Sequence, residues 1–168
     1  MTDGFVAGGK EQLMLRLYKP AFEELGYRRS LLSDPATMSY NEKWGGTVDF
    51  PKEKWEAWYG QWLLADKRER WYRYLYSENE GCFVGEIAYR YDSGFQAYIV
   101  NLLVEAKHRG KGYGRQGLRL LLETAEANGI TRLCDTIAAD NPAVALFLDS
   151  GFTEVWRNDD CIMVEYAR

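Results

Sequence analysis

A short run of glycine and basic residues is the part of the sequence best suited to chemistry. It reads Arg109-Gly110-Lys111-Gly112-Tyr113-Gly114-Arg115 and lies between a predicted strand and a predicted helix. Glycine allows the backbone to approach a ligand closely and to adopt positive φ, and the free amides at the start of a helix attract anions. The run therefore predicts a phosphate-binding turn, with Lys111 and Arg115 adding positive charge. A flexible basic loop that holds no ligand is the plainer interpretation.

A dinucleotide-binding motif fits the same glycines less well. Residues Gly112–Gly117 match the pattern G-x-G-x-x-G, with Asp135 at a suitable distance downstream. However, seven residues separate Gly112 from Val104, the end of the predicted strand before it, whereas the first glycine of that motif follows its strand almost at once. Only 33 residues follow Asp135 in the 168-residue chain, which is too few for the further βαβ units of that fold.

The amino-terminal region carries a second, weaker phosphate motif. Gly4–Lys10 has the glycine and lysine spacing of a phosphate-binding loop, but Glu11 stands where Ser or Thr is required and no strand precedes it. A nucleic-acid site is also disfavoured, because the chain has a net charge of −4 and polyanions bind basic surfaces. We expect residues 1–10 to form a flexible tail and residues 11–168 to form one domain.

The cysteines and the single histidine predict no metal site. Cys82, Cys134 and Cys161 are far apart and His108 is the only histidine, so the usual spacings of metal ligands cannot be formed. Separated cysteines in odd number are typical of a reducing cytoplasm. Since no apolar run approaches the roughly 18 residues of a membrane-spanning helix, we expect a cytoplasmic protein that does not bind membranes.

Hydrophobic periodicity predicts a mixed α/β (α+β) chain. A long loop is expected at Ser33–Asp49, and Phe22 and Leu25 are expected on the inner face of the first helix. A βαβ unit around Val104–Ala138 should place its two strands parallel. The predicted elements, in order, are a strand at Leu13–Leu17, helices from Pro20 and Pro51, strands at Trp71–Ser77, Cys82–Tyr91 and Phe95–Val104, a helix ending at Asn128-Gly129, a strand at Arg132–Ala138, a helix at Ala143–Asp149, and strands at Phe152–Arg157 and Cys161–Tyr166.

The helix that begins at Pro51 is unusually aromatic. Trp55, Trp58, Tyr59 and Trp62 recur at helical spacing and therefore share one face. The plainer interpretation is a core face that packs on the sheet. The functional interpretation is a pocket for a cationic amine, bordered by the predicted loop at residues 41–50.

The glycine turn and the strand before it resemble the acetyl-coenzyme A signature of the GNAT acetyltransferase superfamily. Leu102-Leu103-Val104 followed by Arg109-x-x-Gly112-x-Gly114 is similar to the superfamily pattern R/Q-x-x-G-x-G/A. The resemblance implies a GNAT fold, which has a central, mostly antiparallel sheet, a parallel and splayed strand pair, and flanking helices.

A second block supports this resemblance. Asp140-Asn141-Pro142-Ala143, followed by Leu146-Phe147 and Gly151-Phe152, is similar to the superfamily's second conserved block. The order of the predicted elements is also that of a GNAT domain. Residues 13–91 loosely resemble the branch that contains the ribosomal-protein N-terminal acetyltransferases.

The resemblance implies how acetyl-CoA is held. In this superfamily the strand before the signature splays from its neighbour, so its backbone groups can bond the pantetheine arm and polarise the thioester. The diphosphate would bind the amides of the turn. For Asn141, a plain role as a helix N-cap is the alternative. The implied cofactor-binding residues are Leu102, Val104, Arg109, Gly110, Lys111, Gly112, Tyr113, Gly114, Arg115, Asn141 and Phe147.

The implied catalytic residues depart from the superfamily pattern. Many members have a tyrosine acid where this chain has Phe147, and some have a glutamate base where it has Tyr98. Glu86, on the neighbouring strand, is a candidate base, with an ion-paired structural glutamate as the alternative. Tyr98 is a candidate acid for the thiolate, because a phenol with a pKa of about 10 is a poor base near neutrality. Asn101 is a candidate polar group in the cleft.

The resemblance implies an N-acetyltransferase that moves an acetyl group from acetyl-CoA to a primary amine by direct attack. The acceptor would be a small molecule or a peptide N-terminus, and the protein a monomer or a homodimer. The absence of the usual tyrosine and glutamate leaves open an alternative, which is a non-catalytic or sensory domain that binds coenzyme A.

Overall fold

The computed structural model describes residues 14–168, so Leu13 and the predicted tail at residues 1–10 lie outside the described residues. Seven strands form one sheet in the order β1-β2-β3-β4-β5-β7-β6. All neighbouring strands are antiparallel except β4 and β5, which are parallel. The predicted mixed fold with one parallel pair is therefore confirmed. The strands are β1 (Leu15–Tyr18), β2 (Arg70–Ser77), β3 (Cys82–Asp92), β4 (Ala97–Val104), β5 (Arg132–Ala138), β6 (Thr153–Arg157) and β7 (Cys161–Ala167).

Helices cover both faces of the sheet. The helices are α1 (Gly26–Ser33), α2 (Trp55–Leu63), α3 (Tyr113–Ala127) and α4 (Ala143–Asp149). On one face, Leu31 of α1 and Trp55 of α2 share a core with Leu103 of β4. On the other face, Leu118 of α3 and Phe147 of α4 share a core with strand residues.

Helix α3 follows the glycine turn and fixes its position against the sheet. Its buried residues Tyr113, Gly117, Leu118, Leu121 and Ala125 recur at helical spacing, so one face of the helix packs on the strands. The helix ends as the sequence predicts, because Gly129 follows with a φ of +77° that suits glycine. The burial of this face holds the amino-terminal end of α3 at the end of β4.

Three details differ from the sequence prediction. Phe22 was expected to face inward, but it is 40% exposed, because the segment Phe22–Leu25 is a 3-10 turn and only Leu25 is buried. Strand β4 begins at Ala97 rather than Phe95, which stays in the preceding turn and is exposed. The predicted long loop contains a 3-10 turn at Ser39–Trp44, and this turn borders the cleft described below.

The aromatic face of α2 forms part of the core. Trp55 is 6% exposed, and the ring of Trp58 packs edge-on against Tyr72 of β2 with the ring centroids 4.8 Å apart. The indole N–H of Trp55 donates to the carbonyl of Phe50 at 3.0 Å, so its polar group is satisfied. The core interpretation of these aromatics is confirmed.

Candidate active site

Strand β4 is fully paired on one side and almost unpaired on the other. Its partner β3 is in register from Gly85 opposite Val104 to Asp92 opposite Ala97. On the β5 side only Tyr98 and Ile99 have partners, which are Leu133 and Cys134. The remaining parts of β4 and β5 line a cleft of about 1160 Å³.

The backbone of β4 presents polar groups to this cleft. The N–H of Glu105 donates to the carbonyl of Val84 on β3 at 2.9 Å. Backbone groups alternate in direction along a strand, so those of Val104 and Leu102 point away from β3 and toward the gap. The carbonyl of Val104 accepts a bond from Nε of Arg109 at 3.1 Å. The backbone of Leu102 has no partner strand on that side, and such groups need a ligand or water.

The glycine turn closes one end of the cleft. Gly110 and Gly112 have φ values of +78° and +92°, a region that favours glycine, and Gly112 is the N-cap of α3. A Cβ on Gly114 would lie 3.1 Å from Cδ2 of Leu146 and 3.8 Å from Cγ2 of Val104. Glycine at this position therefore lets the amino-terminal end of α3 approach both β4 and α4. The first amides of a helix have no partner within the helix, and Gly112, Gly114 and Arg115 at this helix end line the cleft.

The basic side chains of the turn differ in what they already contact. Arg109 lines the cleft, and its Nη2 donates to the carbonyl of Thr37 at 2.6 Å, which joins the turn to the segment after α1. Lys111 forms an ion pair with Glu80 at 2.8 Å. Hydrogen bonds from Lys111 and Tyr113 lower the pKa of the Glu80 carboxyl to about 2. Neither Lys111 nor Glu80 lines the cleft.

Arg115 lies at the mouth of the cleft on the first turn of α3. Its Nη2 is 3.2 Å from Oδ2 of Asp149, and both side chains are 60% exposed. An exposed ion pair of this kind is weak. Arg115 is therefore the basic residue of the turn that can reorient toward a ligand at least cost.

The second block of the resemblance contributes two predicted cofactor-binding residues, of which one lies in the cleft and the other in the core. Asn141 lines the cleft, and its Oδ1 accepts a bond from the N–H of Ala143 at 2.9 Å, which satisfies an amide at the start of α4. Phe147 does not line the cleft. It is 2% exposed and packs edge-on against Phe152 with the ring centroids 4.9 Å apart.

The three candidate catalytic residues lie in different surroundings. Asn101 is exposed and lines the cleft. Tyr98 lies outside the cleft, at the paired start of β4, and its hydroxyl donates to the carbonyl of Arg68 at 2.6 Å. Glu86 is 1% exposed and does not line the cleft. The structure therefore brings only Asn101 of the three to the open gap.

Glu86 belongs to a buried charged cluster. One carboxylate oxygen accepts a bond from Nη1 of Arg28 and the other accepts one from the hydroxyl of Tyr72. The Arg28 guanidinium also lies 4.7 Å from the centroid of the Trp58 ring. Burial opposes the charge on Arg28, but Glu86 and Tyr72 outweigh it and raise the pKa of the guanidinium. This arrangement matches the alternative interpretation of Glu86 as an ion-paired structural residue.

The wall opposite α3 comes from the predicted long loop. Tyr40, Asn41 and Trp44 of the 3-10 turn line the cleft, and Trp44 is 60% exposed. The hydroxyl of Thr37 accepts a bond from the N–H of Ala106 at 3.0 Å, which anchors this segment to the end of β4. Tyr40 and Trp44 of this turn therefore reach the cleft together with Tyr113 of α3, whereas the aromatics of α2 do not line it.

One cleft residue was not identified as functional from the sequence. Asp135 on β5 lies immediately beyond the last paired position, Cys134, and lines the gap. Its Oδ1 accepts a bond from the N–H of Thr136 at 2.8 Å, and burial raises the pKa of its carboxyl to about 8. The available signal was a single carboxylate within the otherwise apolar or neutral run Leu133–Ala138.

The comparison with family models identifies this arrangement. A model of the acetyltransferase (GNAT) family matches residues 35–152, which is more than half of the chain. The chain belongs to the GNAT acetyltransferase family. No curated protein sequence matches this GNAT chain.

Solved structures share the GNAT fold over nearly the whole chain. A ribosomal-protein-alanine N-acetyltransferase from Brucella melitensis is 24% identical with a TM-score of 0.69, over 93% of this chain and 100% of that one. A GNAT acetyltransferase from Bacillus anthracis is 18% identical with a TM-score of 0.67, over 94% of this chain and 95% of that one. A spermidine N-acetyltransferase chimera from Vibrio cholerae is 17% identical with a TM-score of 0.69, over 93% of this chain and 95% of that one.

Two kinds of feature are absent from residues 14–168. No helix in this part of the GNAT chain is long and apolar enough to cross a membrane. No group of three or more His, Cys, Asp or Glu side chains there is arranged to hold a metal ion.

Proposed function

We propose that this GNAT protein transfers the acetyl group of acetyl-CoA to a primary amine. The observation that carries the proposal is the open seam between β4 and β5, which is the stretch where the two strands are unpaired and the cleft lies between them. This seam ends at the glycine turn and the amino-terminal end of α3. A diphosphate fits that end because helix amides and their dipole favour anions. An extended arm fits the seam because unpaired strand groups can bond it as they would bond another strand.

The residues present fit acetyl-CoA. The turn is formed by glycines at positive φ, and a Cβ on Gly114 would fill the space where α3 approaches β4 and α4. Leu102 offers backbone groups to the arm, the amides of Gly112, Gly114 and Arg115 face the diphosphate, and Arg115 adds charge. In this proposal Arg109 and Lys111 shape the turn through their protein contacts, and Asn141 caps α4 at the edge of the site.

Acetyl-CoA supplies an activated acetyl thioester, and the chain supplies binding and polarisation. A backbone N–H of β4 donates to the carbonyl oxygen as negative charge grows there, which is the largest usual contribution to acyl transfer. Asn101 orients the incoming amine or a water molecule from the exposed side of β4. The amine must be neutral to attack, so the rate of acetylation rises with pH on the acid side of the profile.

The acceptor enters from the wall formed by the Ser39–Trp44 turn. Tyr40 and Trp44 offer aromatic faces and Glu42 offers a carboxylate beside the cleft, and such groups attract a cationic amine. The named solved relatives act on spermidine and on a ribosomal protein. We therefore propose a basic acceptor, either a polyamine-like small molecule or a peptide N-terminus, and we propose that the protein acts in the cytoplasm as a monomer or homodimer.

The experiment is an acetylation assay that follows thiol release from acetyl-CoA with a panel of polyamines and peptides with free N-termini. Calorimetric binding of CoA is measured in parallel, with NAD as the control ligand. CoA binding together with thiol release for at least one acceptor is the expected result. Binding without release for any acceptor would favour the non-catalytic alternative, to which the core position of Phe147 also points, and binding of NAD instead of CoA would overturn both.

A further inference from the structure

The half-buried residue Asp135 lies at the closed end of the β4–β5 gap. The last paired residues are Ile99 and Cys134, and Asp135 is the next residue on β5. Because side chains alternate along a strand, Asp135 shares its face with Leu133 and Ile137, which belong to the core beneath α3 and α4. It is also among the residues that line the cleft.

The length of the ligand brings its sulfur to the same place. The arm of coenzyme A between the diphosphate and the sulfur is as long as four to five residues of extended chain, roughly 13–17 Å. If the diphosphate lies on the turn beyond Val104, an arm laid along β4 reaches the closed end of the gap at Val100, the first residue beyond the paired stretch. Asp135 stands across the gap from that point.

We infer that Asp135 is the acid that protonates the departing thiolate of coenzyme A, an inference that rests on the proposed function. The new C–N bond forms as the C–S bond breaks, and the sulfur leaves with the electron pair of that bond. The sulfur takes the proton of the Asp135 carboxyl. The amide nitrogen then releases its extra proton, which returns to Asp135 through water, so that atoms and charge balance over one turnover.

The surroundings of Asp135 keep its carboxyl protonated near neutrality. The residue opposite it on β7 is Val164, which is fully buried, and no cation forms an ion pair with Asp135 within residues 14–168. Burial therefore raises the pKa of the carboxyl to about 8. The other charged or titratable side chains that line the cleft are Tyr40, Glu42, Lys43, His108, Arg109, Tyr113, Arg115 and Asp140.

Two other titratable groups lie near Asp135, and neither of them suits the role of the acid. Tyr40 faces the gap from the Ser39–Trp44 turn, and burial followed by the charges of nearby carboxylates, Asp135 among them, raises the pKa of its phenol. Cys134 precedes Asp135 on β5, and burial together with Asp135 raises the pKa of its thiol to about 11. Neither group gives up a proton as readily near neutrality as a carboxyl whose pKa is about 8.

The inference is tested with Asp135→Asn, which keeps the shape of the side chain and removes the acidic proton. The matched control is Asp159→Asn, an exposed aspartate in the turn between β6 and β7. With the best acceptor of the panel, Asp135→Asn should lower kcat by about 100-fold or more and leave the Kd for acetyl-CoA within about 2-fold of wild type. The wild-type kcat should also fall above a pH of about 8, and the variant should lose this alkaline decline.

A second readout needs no acceptor. When CoA is bound, an ionised Asp135 beside the sulfur disfavours the thiolate, so the thiol of bound CoA should titrate at a higher pH in wild type than in Asp135→Asn, as followed by thiolate absorbance. Asp159→Asn should behave as wild type. If Asp135→Asn does not fold, the same titration on wild type serves, and the bound thiol should titrate above free CoA.

The outcomes separate the two proposals. A wild-type protein that binds CoA but acetylates no amine contradicts the proposed function. An active wild type whose kcat, pH profile and bound-thiol titration are all unchanged by Asp135→Asn contradicts only the role of Asp135.

Discussion

The two seams of strand β4, meaning its boundaries with β3 and with β5, each carry one carboxylate in contrasting surroundings. Glu86 on the closed seam is buried, whereas Asp135 on the open seam is half-buried. On the closed β3 seam, Glu86 is 1% exposed and bonds both Arg28 and Tyr72. On the open β5 seam, Asp135 lines a cleft and accepts a bond from the N–H of Thr136. A carboxylate that is paired with a cation in the core is a structural group. A carboxyl that has no cationic partner, and whose pKa is raised toward neutrality, is available for proton transfer.

The largest expected effect comes from breaking the closed seam. Glu86→Ala leaves the Arg28 guanidinium buried and unpaired, so we expect the free energy of unfolding to fall by about 3–5 kcal/mol in urea denaturation. The control is Glu154→Ala, which removes an exposed ion pair with Arg157 and should cost less than about 1 kcal/mol. Equal losses in the two variants would mean that the Glu86 cluster is not a buried pair.

On the open seam, replacing the carboxylate should raise the stability relative to wild type as the pH increases, rather than lower it. The folded-state pKa of Asp135 is raised to about 8 from 3.8, so the folded chain binds this proton more tightly than the unfolded chain. Its contribution to stability is therefore present below a pH of about 4 and is lost as the pH rises to about 8. Asp135→Asn lacks this loss, and its stability relative to wild type should rise by about 2–4 kcal/mol over that range. A difference that stays constant with pH contradicts a raised pKa for the Asp135 carboxyl in the folded protein.

Two glycines with similar backbone geometry distinguish a loss of CoA binding from the effect of backbone strain on stability. Gly110 has a φ of +78° and Gly129 a φ of +77°, and a Cβ at either would meet nothing within 4 Å. Gly110→Ala and Gly129→Ala should each cost about 1–2 kcal/mol of stability, because both force an L side chain into the left-handed region. Only Gly110→Ala should weaken CoA binding, by about 10-fold in calorimetry. Similar affinities for the two variants would remove Gly110 from the site.

The smallest effect distinguishes two of the three basic side chains of the turn, Arg115 and Lys111. Arg115→Ala should weaken CoA binding by about 5-fold, or about 1 kcal/mol, because its exposed pair with Asp149 is easily exchanged for a phosphate. Lys111→Ala should weaken it by less than about 2-fold, because Glu80 already neutralises the ammonium. Calorimetry with CoA measures both. A larger loss for Lys111→Ala would place the diphosphate on the Glu80 side of the turn.

The sequence was sufficient to predict the fold and the glycine turn. The helix stop at Gly129 and the buried stripe of α3 follow from local rules of capping and periodicity. The parallel placement of β4 and β5 follows from the handed βαβ connection between them. Each of these features depends on residues close together in the chain.

The assignment of individual side chains to the cleft was harder to predict. Glu86 and Tyr98 lie on the strands expected, but Glu86 finds Arg28 and Tyr72, and Tyr98 finds the carbonyl of Arg68. Those partners are distant in sequence, so no local pattern reveals them. Asp135 was passed over for the converse reason, since a lone carboxylate in a strand becomes informative only when the seam beside it is known to be open.

We propose that the seam between β4 and β5 is open because it holds the arm of acetyl-CoA. Backbone hydrogen exchange, measured by NMR with and without CoA, tests it most directly. The amides of Leu102 and Val104, which point toward the gap, should exchange markedly more slowly when CoA is bound, while that of Leu103, which points toward β3, stays unchanged. Saturating CoA binding that leaves the exchange of the Leu102 and Val104 amides unaltered would contradict this role of the seam.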